Sequence, residues 1–424
     1  MIRSSKATIK FANDGKLEEL REFINEYRRV ATLLVDHYWN HGLKFDGFEL
    51  DVKNEILNFP SMLPVDQLPT VESFLSGRAL KCLSTQVCGI IKAAINKRVK
   101  DRRLAEYLTR IEKKLPDRLI KRLAAPLVKP SCNNIEAELN SICCDVECDP
   151  NQHFDSFFRI SSIRNDKKLY SIKLPINYHR HFNKWKSIGV QLNSFLISNE
   201  GITFRFDVEY KNKEVGNVVG ADQGYKTVIT LSDGQTTPTA DCHLHTLESV
   251  IEKLARKRKG SAAYEKAQDH RKNFVNWSIN QLNLSSIKQI NLEEIVNINF
   301  GKRVSRKMQA WTNTIIRDKM ISFANEHEVH VNLQDSSYRS QRCCKCGNVR
   351  KSNRKGKIYT CKHCGNIMDA DLNAAKNHEI ELPTIPFEIR GKGYNLGNGF
   401  FWNISGIVSF SGEELTVPLD AKIN

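Results

Sequence analysis

The amino-acid sequence predicts a multidomain α+β protein, and three observations lead to this prediction. The chain has 424 residues, more than one hydrophobic core usually organises. Its apolar residues follow helical spacing in some segments and strand-like alternation in others. Two Cys-x-x-Cys pairs towards the C-terminal end indicate a small module folded around a metal ion. We therefore expect a sizeable catalytic domain with appended modules.

The composition favours a nucleic acid as the partner. Lys and Arg number 64 against 48 Asp and Glu, which gives a net charge of +16, and a surplus of this size usually neutralises a polyanion. No apolar run has the length that spans a bilayer, and the N-terminus "MIRSSKATIKF" lacks the apolar core of a signal peptide. Without export, the twelve cysteines should stay reduced. We predict a cytoplasmic protein with no membrane partner.

The first half of the chain mixes strands and helices. "KATIKF" alternates as a strand does, residues 16–39 have helical spacing, and residues 71–127 form further helices with cationic polar faces. Short alternating runs follow. We predict a β-domain of residues 1–14 and 150–214 with residues 15–149 as a helical insertion. The cations of the insertion that we expect to contact phosphates, rather than merely to face solvent, are Lys97, Arg98, Arg102 and Arg103.

A second β-α-β region begins at Val215. The segment "VGNVVGADQGYKTVITLSDG" predicts a buried strand, a glycine-containing turn and a returning strand, and helices and two further strands follow. The helical segment after Leu247 is basic. Its candidates for nucleic-acid contact are Arg256, Lys257 and Arg258.

Four cysteines have the spacing of a structural zinc site. Cys343, Cys346, Cys361 and Cys364 form two Cys-x-x-Cys pairs, each followed by a glycine. Four thiolates complete a tetrahedral Zn²⁺ shell and leave no open position, so we expect this zinc to be structural. The cations around the two pairs that we predict to contact nucleic acid are Arg342, Arg354 and Lys355.

Three carboxylates lie at strand ends or at a helix start around this module. They are Asp222 in "VVGADQG", Glu293 in "INLEEI" and Asp371 in "MDADLNAAKN". A charge inside an apolar strand is costly to bury, and two Mg²⁺ ions about 4 Å apart would offset that cost and clamp a phosphodiester. Taken singly, each residue could be a turn, cap or edge-strand charge. Together they follow the acidic layout of an RNase H-like nuclease.

These motifs together resemble one nuclease family. "GADQG", "NLEEI", "SQRCCKCG", "CKHCG" and "DADLNAAKN" are similar, in order and combination, to the motifs of the transposon-encoded TnpB nucleases and the related miniature type V CRISPR effectors. The resemblance covers roughly Val215 to Asn377. It implies a RuvC-type, RNase H-like domain at 215–335 and 367–380, with a zinc ribbon inserted at 336–366. It also implies that the β-domain is a wedge barrel and its helical insertion a recognition lobe, which together hold a guide RNA.

The resemblance implies a prokaryotic, RNA-guided DNA endonuclease. Asp222, Glu293 and Asp371 would bind two Mg²⁺ ions, with Mn²⁺ as a substitute, and this single site would cut both strands of double-stranded DNA beside a short flanking motif. Glu294 would fill a non-catalytic acidic position. The sequence departs from the family pattern at Ala221, Gln223, Arg339 and His378. None of these departures removes a carboxylate.

Two alternative functions stay open at this point. One is an RNA-guided repressor that binds DNA without cleaving it, and the other is an unguided transposase or resolvase on the same fold. The sequence also leaves open the guide, the flanking motif, whether a second copy joins the same RNA, and whether a transposon or a CRISPR locus encodes the chain. Residues 381–424 could form a hairpin or a mobile tail. Cys132, Cys143, Cys144 and Cys148 fit metal spacing poorly, and small hydrophobic roles are favoured.

Overall fold

The computed structural model describes residues 1–58, 63, 68–110, 114–148, 153–165, 168–295, 305–310, 313–385 and 399–409. The chain divides into two compact units, Met1–Glu209 and Tyr210–Asn424. This division lies close to Val215, where the second region was predicted to begin. Among the described helices, none combines the length and the apolar content needed to cross a bilayer.

In its described residues, the first unit contains four helices and ten strands. Its helices are α1 (Asp14–His41), α2 (Gly77–Arg110), α3 (Asp117–Ala124) and α4 (Arg180–Ile188). Its strands are β1 (Ile2–Thr8), β2 (Leu43–Phe45), β3 (Phe48–Asp51), β4 (Ile56–Asn58), β5 (Ala137–Asn140), β6 (Cys144–Glu147), β7 (Ser156–Asn165), β8 (Lys168–Ile176), β9 (Val190–Ser198) and β10 (Gly201–Asp207). Helix α1 begins at Asn13, whose side-chain oxygen accepts the Lys16 amide at 2.9 Å, as an N-cap does.

The strands of this unit form three sheets, ordered β1-β10-β9-β5, β6-β7-β8 and β2-β3-β4. Strand β1 pairs antiparallel with β10, which confirms that the N-terminal segment supplies a strand to the later sheet. The Phe158 ring on β7 packs at 5.1 Å from Phe195 on β9 and at 6.0 Å from Phe204 on β10. The first two sheets therefore share one aromatic core, as a sandwich or a barrel requires.

Five strands, β2 to β6, correct the prediction that residues 15–149 are helical. Strands β2, β3 and β4 form a small sheet of their own, whereas β5 pairs with β9 and β6 pairs with β7 in the sheets of the β-domain. None of the five has more than four residues, too few for its alternation to stand out from helical spacing. The boundary of the helical insertion therefore stays a prediction, and the described part of the insertion contains strands as well as helices.

The part of the second unit that the structure describes contains five helices and ten strands. Its helices are α5 (Leu247–Ala255), α6 (Ala262–Ile279), α7 (Arg306–Ala310), α8 (Asn313–Glu326) and α9 (Ala370–Glu379). Its strands are β11 (Asn217–Gln223), β12 (Ile229–Leu231), β13 (Ile287–Glu294), β14 (His330–Asp335), β15 (Asn348–Val349), β16 (Arg354–Lys355), β17 (Ile358–Thr360), β18 (Ile367–Asp369), β19 (Phe400–Asn403) and β20 (Gly406–Ser409).

The main sheet of this unit has the order β12-β11-β13-β14. Strand β12 is antiparallel to β11, whereas β11, β13 and β14 are parallel. Parallel strands end at the same edge of a sheet, so residues late in β11 and in β13 lie side by side there. The sheet and the helices that follow β12 and β13 enclose an apolar core that includes Ile251, Ile290 and Met320.

Helix α9 lies against β11 at very close range. A Cβ atom at Gly220 of β11 would overlap the Ala375 carbonyl oxygen and the Glu379 amide nitrogen of α9. The small side chains of Ala374 and Ala375 are fully buried at this contact. Glycine on the strand and alanine on the helix therefore let the two backbones meet.

A hairpin follows α9 in the segment whose role was open. Strand β19 pairs with β15 on one side and with β20 on the other. Phe400 and Trp402 pack with Val349 and Ile385 in a small core. Of the two alternatives for this segment, residues 399–409 form a hairpin, and residues 386–398 and 410–424 lie outside the described residues.

Candidate functional site

The three predicted carboxylates occupy the positions expected at one edge of the main sheet. Asp222 lies near the end of β11, Glu293 near the end of β13, and Asp371 in the first turn of α9. The N-cap of α9 is Asp369, whose Oδ1 accepts the amides of Asp371 and Leu372 at 2.9 and 3.0 Å. Because Asp369 caps the helix, the carboxylate of Asp371 is not needed for that role.

All three carboxylates line one open cleft with a volume of about 630 Å³. Burial raises the pKa of Asp222 well above its usual value, and the charges of Glu293 and Asp371 raise it further. Burial also raises the pKa of Glu293 to about 7. Carboxylates that resist ionisation in this way would be charged and stabilised beside divalent cations, so the donor set fits Mg²⁺.

Two cations from the loop between the cysteine pairs hold Asp371. Arg354 Nη2 lies 2.9 Å from Asp371 Oδ1, and Lys357 Nζ is paired with Oδ2. The side chain of Asp371 is only 8% exposed, so these ion pairs offset the cost of burying its charge. Arg354 was predicted as a nucleic-acid contact, and the structure places it at the edge of the carboxylate cleft.

The structure adds a residue that the sequence analysis named only as a departure. A ring nitrogen of His378 lies within 4.8 Å of carboxylate oxygens of Asp222 and Glu293, in a group that does not include Asp371. His378 is fully buried, and neither ring nitrogen has a hydrogen-bond partner among the described residues. The sequence could have pointed to His378, because it follows Asp371 by seven positions and so lies on the same face of the helix.

The four predicted zinc ligands converge. One sulfur atom from each of Cys343, Cys346, Cys361 and Cys364 lies within 4.8 Å of the others. The pairs Cys343–Cys364 and Cys346–Cys361 have Sγ–Sγ distances of 3.7 and 3.6 Å. A tetrahedral Zn²⁺ with Zn–S bonds of about 2.3 Å needs sulfurs about 3.8 Å apart. The thiolate set therefore fits zinc.

The turns of the two cysteine pairs show why glycine follows each one. Gly347 and Gly365 have φ angles of +79° and +71°, in the left-handed region that favours glycine. Their amides donate to the carbonyls of Cys343 and Cys361 at 2.9 and 3.0 Å. Each knuckle is thus a closed turn that points its sulfurs at one centre. Cys132, Cys143 and Cys144 are buried, as expected of small hydrophobes, whereas Cys148 is exposed.

Arg342 is corrected from a nucleic-acid contact to a structural residue. It is 4% exposed, and its guanidinium donates to the Trp402 carbonyl at 2.7 Å and to Asn377 Oδ1 at 2.5 Å. Arg339 similarly donates to the carbonyls of Asn377 and Ile380 at the end of α9. Both guanidinium groups satisfy carbonyl or amide oxygens around α9, so neither faces a phosphate in this structure.

The other predicted cations fall into two groups. Arg98 donates to the Leu123 carbonyl at 2.7 Å, and Arg102 pairs with Glu55 at 2.9 Å, so both serve contacts within the first unit. Arg102 is nevertheless exposed, and the other cations exposed on the surface are Lys97, Arg103, Lys355, Arg256, Lys257 and Arg258.

Three of the exposed cations form a basic pocket. Arg256, Lys257 and Arg258 line a cavity of about 540 Å³ together with Lys259, Arg306 and the ring of Tyr264. Arg256 also lies 3.5 Å from Glu252, an exposed and weak ion pair. A concentration of cations beside an aromatic ring suits a nucleic-acid backbone and its bases.

The sequence matches known proteins over short segments. The family model "Cas12f1-like, TNB domain" matches residues 315–378. The "CRISPR-associated endodeoxyribonuclease Cas12f1" of Sulfoacidibacillus thermotolerans is 43% identical over 82 residues, 19% of this chain and 19% of that protein. The protein of the same name from Syntrophomonas palmitatica is 34% identical over 62 residues, 14% of this chain and 12% of that protein. The alignments thus span about a fifth or less of these curated relatives.

Solved structures share the fold over most of the chain. The "Cas12f1-sgRNA-target DNA complex" has a TM-score of 0.52 at 12% identity, over 85% of this chain and 83% of that chain. Together with the Cas12f1-like match and the Cas12f1 relatives, this confirms the resemblance to the miniature type V effectors. The "mini-RNA-guided endonuclease CRISPR-Cas_phi3" has a TM-score of 0.52 at 10% identity, over 90% and 92%. The Cas12f1-like match at 315–378 contains all four cysteines and Asp371, whereas Asp222 and Glu293 lie before it.

Proposed function

We propose that this protein is an RNA-guided, Mg²⁺-dependent DNA endonuclease that cuts double-stranded DNA beside a short flanking motif. The observation that carries the proposal is the cleft that Asp222, Glu293 and Asp371 line together. In this proposal the second unit is a RuvC-like, RNase H-like nuclease domain with an inserted zinc ribbon. The first unit is the wedge barrel and recognition lobe, and the protein acts in the prokaryotic cytoplasm.

The residues of the cleft have distinct tasks. Asp222 and Glu293 would hold two Mg²⁺ ions with Asp371, and His378 offers a further nitrogen donor beside them. Bound Mg²⁺ would activate a water and stabilise the leaving oxygen of a phosphodiester. Arg354 and Lys357, which pair with Asp371 in the metal-free protein, would face the incoming phosphate.

The partners follow from the charge and from the relatives. Base pairing with a guide RNA would read the DNA sequence, while the protein would read the flanking motif and the shape of the duplex. A similar fold is found in a Cas12f1 complex with a single-guide RNA and target DNA, which supports this assignment. The exposed cations and the basic pocket would contact phosphates. Whether a second copy joins the same RNA stays part of the proposal.

The first test removes the carboxylates one at a time. The variants Asp222→Asn, Glu293→Gln and Asp371→Ala should each lower cleavage of a guided target by about 100-fold or more, because each loses a metal ligand. The protein is purified with its RNA, that RNA is sequenced, and a matching duplex is incubated with Mg²⁺ or with chelator.

The control is Glu294→Gln, one position beyond Glu293. Glu294 pairs loosely with Arg317 at 4.0 Å and does not line the cleft, so this variant should cut like the parent. Full activity of Asp371→Ala would contradict the catalytic assignment. Guided binding without nicking by the parent would favour the repressor, and the lack of a discrete copurifying RNA would favour an unguided resolvase.

A further inference from the structure

A third cluster of potential metal ligands shares no residue with the carboxylate cleft or the zinc ribbon. Asp241, His245 and His270 each present one carboxylate oxygen or ring nitrogen, and these atoms lie within 4.8 Å of one another. All three side chains are half-buried, so an ion could reach them from solvent. The proposed cleavage reaction does not use any of them.

A tight loop sets the first two ligands. An isolated bridge between Ala240 and Thr246 closes the loop, and Asp241 Oδ1 accepts the amides of His243 and His245, each at 2.9 Å. The other oxygen, Oδ2, lies 3.1 Å from His245 Nδ1. The loop thus leaves one carboxylate oxygen and one imidazole nitrogen side by side.

The loop contains an unfavourable backbone conformation. Leu244 has a φ angle of +61°, which is uncommon for a residue with a side chain. Its side chain is 85% exposed, so apolar burial does not offset this cost. Such strain often marks a place where a loop is shaped for a ligand.

The third ligand comes from a different element. His270 lies in α6, and its ring meets the His245 ring edge to face, with centroids 4.7 Å apart and an interplanar angle of 81°. An Asp–His pair within a turn is an ordinary arrangement by itself. A second imidazole from a separate helix completes a set of three ligand atoms within 4.8 Å of one another, a spacing close to that of ligands around one ion with Zn–N and Zn–O bonds of about 2.0–2.2 Å.

We propose that Asp241, His245 and His270 bind one divalent transition-metal ion of the Zn²⁺ class and so fasten the 240–246 loop to α6. Two imidazoles with one carboxylate suit Zn²⁺ and its neighbours better than Mg²⁺, which prefers oxygen ligands. Three protein ligands leave a coordination position for water. The site is independent of the proposed nuclease function, because none of its ligands lines the cleft.

The test counts zinc in the untagged full-length chain. After equilibration with Zn²⁺ and removal of free ion, the parent should hold two equivalents by elemental analysis, one in the ribbon and one here. A chelator of moderate strength should remove the zinc ion at Asp241, His245 and His270 before the zinc ion of the ribbon. His270→Gln and His245→Gln should each retain one equivalent and weaken Zn²⁺ binding at this site by about 100-fold.

The matched control is His243→Gln, because His243 is exposed in the same loop but is not in the ligand group. It should keep both equivalents. The thiolate charge-transfer band of Co²⁺ in the ribbon reports that each variant is folded there. Equal zinc content in the parent and in both ligand variants, with that band intact, would overturn the proposal.

Discussion

His378 is a buried side chain that should lower the stability of the metal-free protein. Burial and the charge of Arg339 lower its pKa to about 3, so the ring is neutral at physiological pH. A buried polar group without a partner costs about 1–3 kcal/mol. Without metal, His378→Leu should therefore raise the free energy of unfolding by about 1–3 kcal/mol, measured by denaturant titration in chelator.

The contrast for this variant is His327→Leu. His327 Nδ1 has a hydrogen bond of 2.8 Å with the Phe323 carbonyl. Replacing this ring should therefore not raise the free energy of unfolding. If His378→Leu were less stable than the parent, the ring would have an interaction that stabilises the protein by more than the cost of burying the ring.

Glu293 makes the stability of the metal-free protein depend on pH. Burial raises its pKa from 4.5 to about 7, so the folded state favours the protonated form. The resulting stabilisation is complete below about pH 4.5 and is lost as the pH rises through about 7. In chelator, Glu293→Gln should gain melting temperature relative to the parent over this range. Saturating Mg²⁺ should reduce the difference in melting temperature between the variant and the parent. A difference that does not change with pH would contradict the raised pKa of Glu293.

The positions of single residues were predicted well where the chemistry of a ligand fixes their spacing. Their roles were predicted poorly where contacts with residues distant in sequence determine them. The four cysteines converge as their spacing predicted, because a tetrahedral ion allows few arrangements. The prediction that Arg342 contacts nucleic acid was wrong. Its partners Asn377 and Trp402 lie 35 and 60 positions away in sequence, so no local pattern shows that they bind it. The sequence does not show whether a cation near a motif faces a phosphate or a carbonyl.

At the scale of elements, the contact between β11 and α9 should be the least tolerant of change. Gly220→Ala would push a methyl group into the α9 backbone, and overpacking of this kind costs about 1–3 kcal/mol or more. The variant should lower the melting temperature of the second unit and reduce cleavage, because α9 carries Asp371.

The matched variant is Gly89→Ala in α2. A Cβ there meets nothing within 4 Å, and alanine favours a helix over glycine by about 1 kcal/mol. It should leave stability unchanged or raise it slightly, as circular dichroism melts would show. Equal effects of the two changes would mean that the close approach at Gly220 does not matter.

Long elements were predictable and short ones were not. Helix α1 and strands β11 and β13 follow their apolar periodicity, and the sheet edge that gathers Asp222 and Glu293 follows from parallel pairing. Strands β5 and β15 have four and two residues, and partners distant in the chain determine them. Their pairing depends on tertiary structure that no local pattern encodes.

For the whole molecule, the net charge of +16 should make RNA binding strongly salt-dependent. Replacing Arg256, Lys257 and Arg258 with alanine should lower the slope of log affinity against log salt by about 2–3, roughly 1 for each lost phosphate contact. A control with the same loss of charge uses cations that pair with nearby glutamates, namely Lys16, Arg21 and Lys44. Filter binding at several salt concentrations measures both, and identical slopes would rule out the basic pocket as an RNA contact.

Strand β19 determines how far the chain can be shortened. Its Phe400 and Phe401 pair with the strand that follows the first cysteine knuckle, and the Trp402 carbonyl receives the buried guanidinium of Arg342. A version that stopped after α9 would retain the three carboxylates and the four thiolates but would lose one wall of the module that carries Arg354. The shortest version that folds should therefore extend through a scaffolding strand well downstream of the last of these groups.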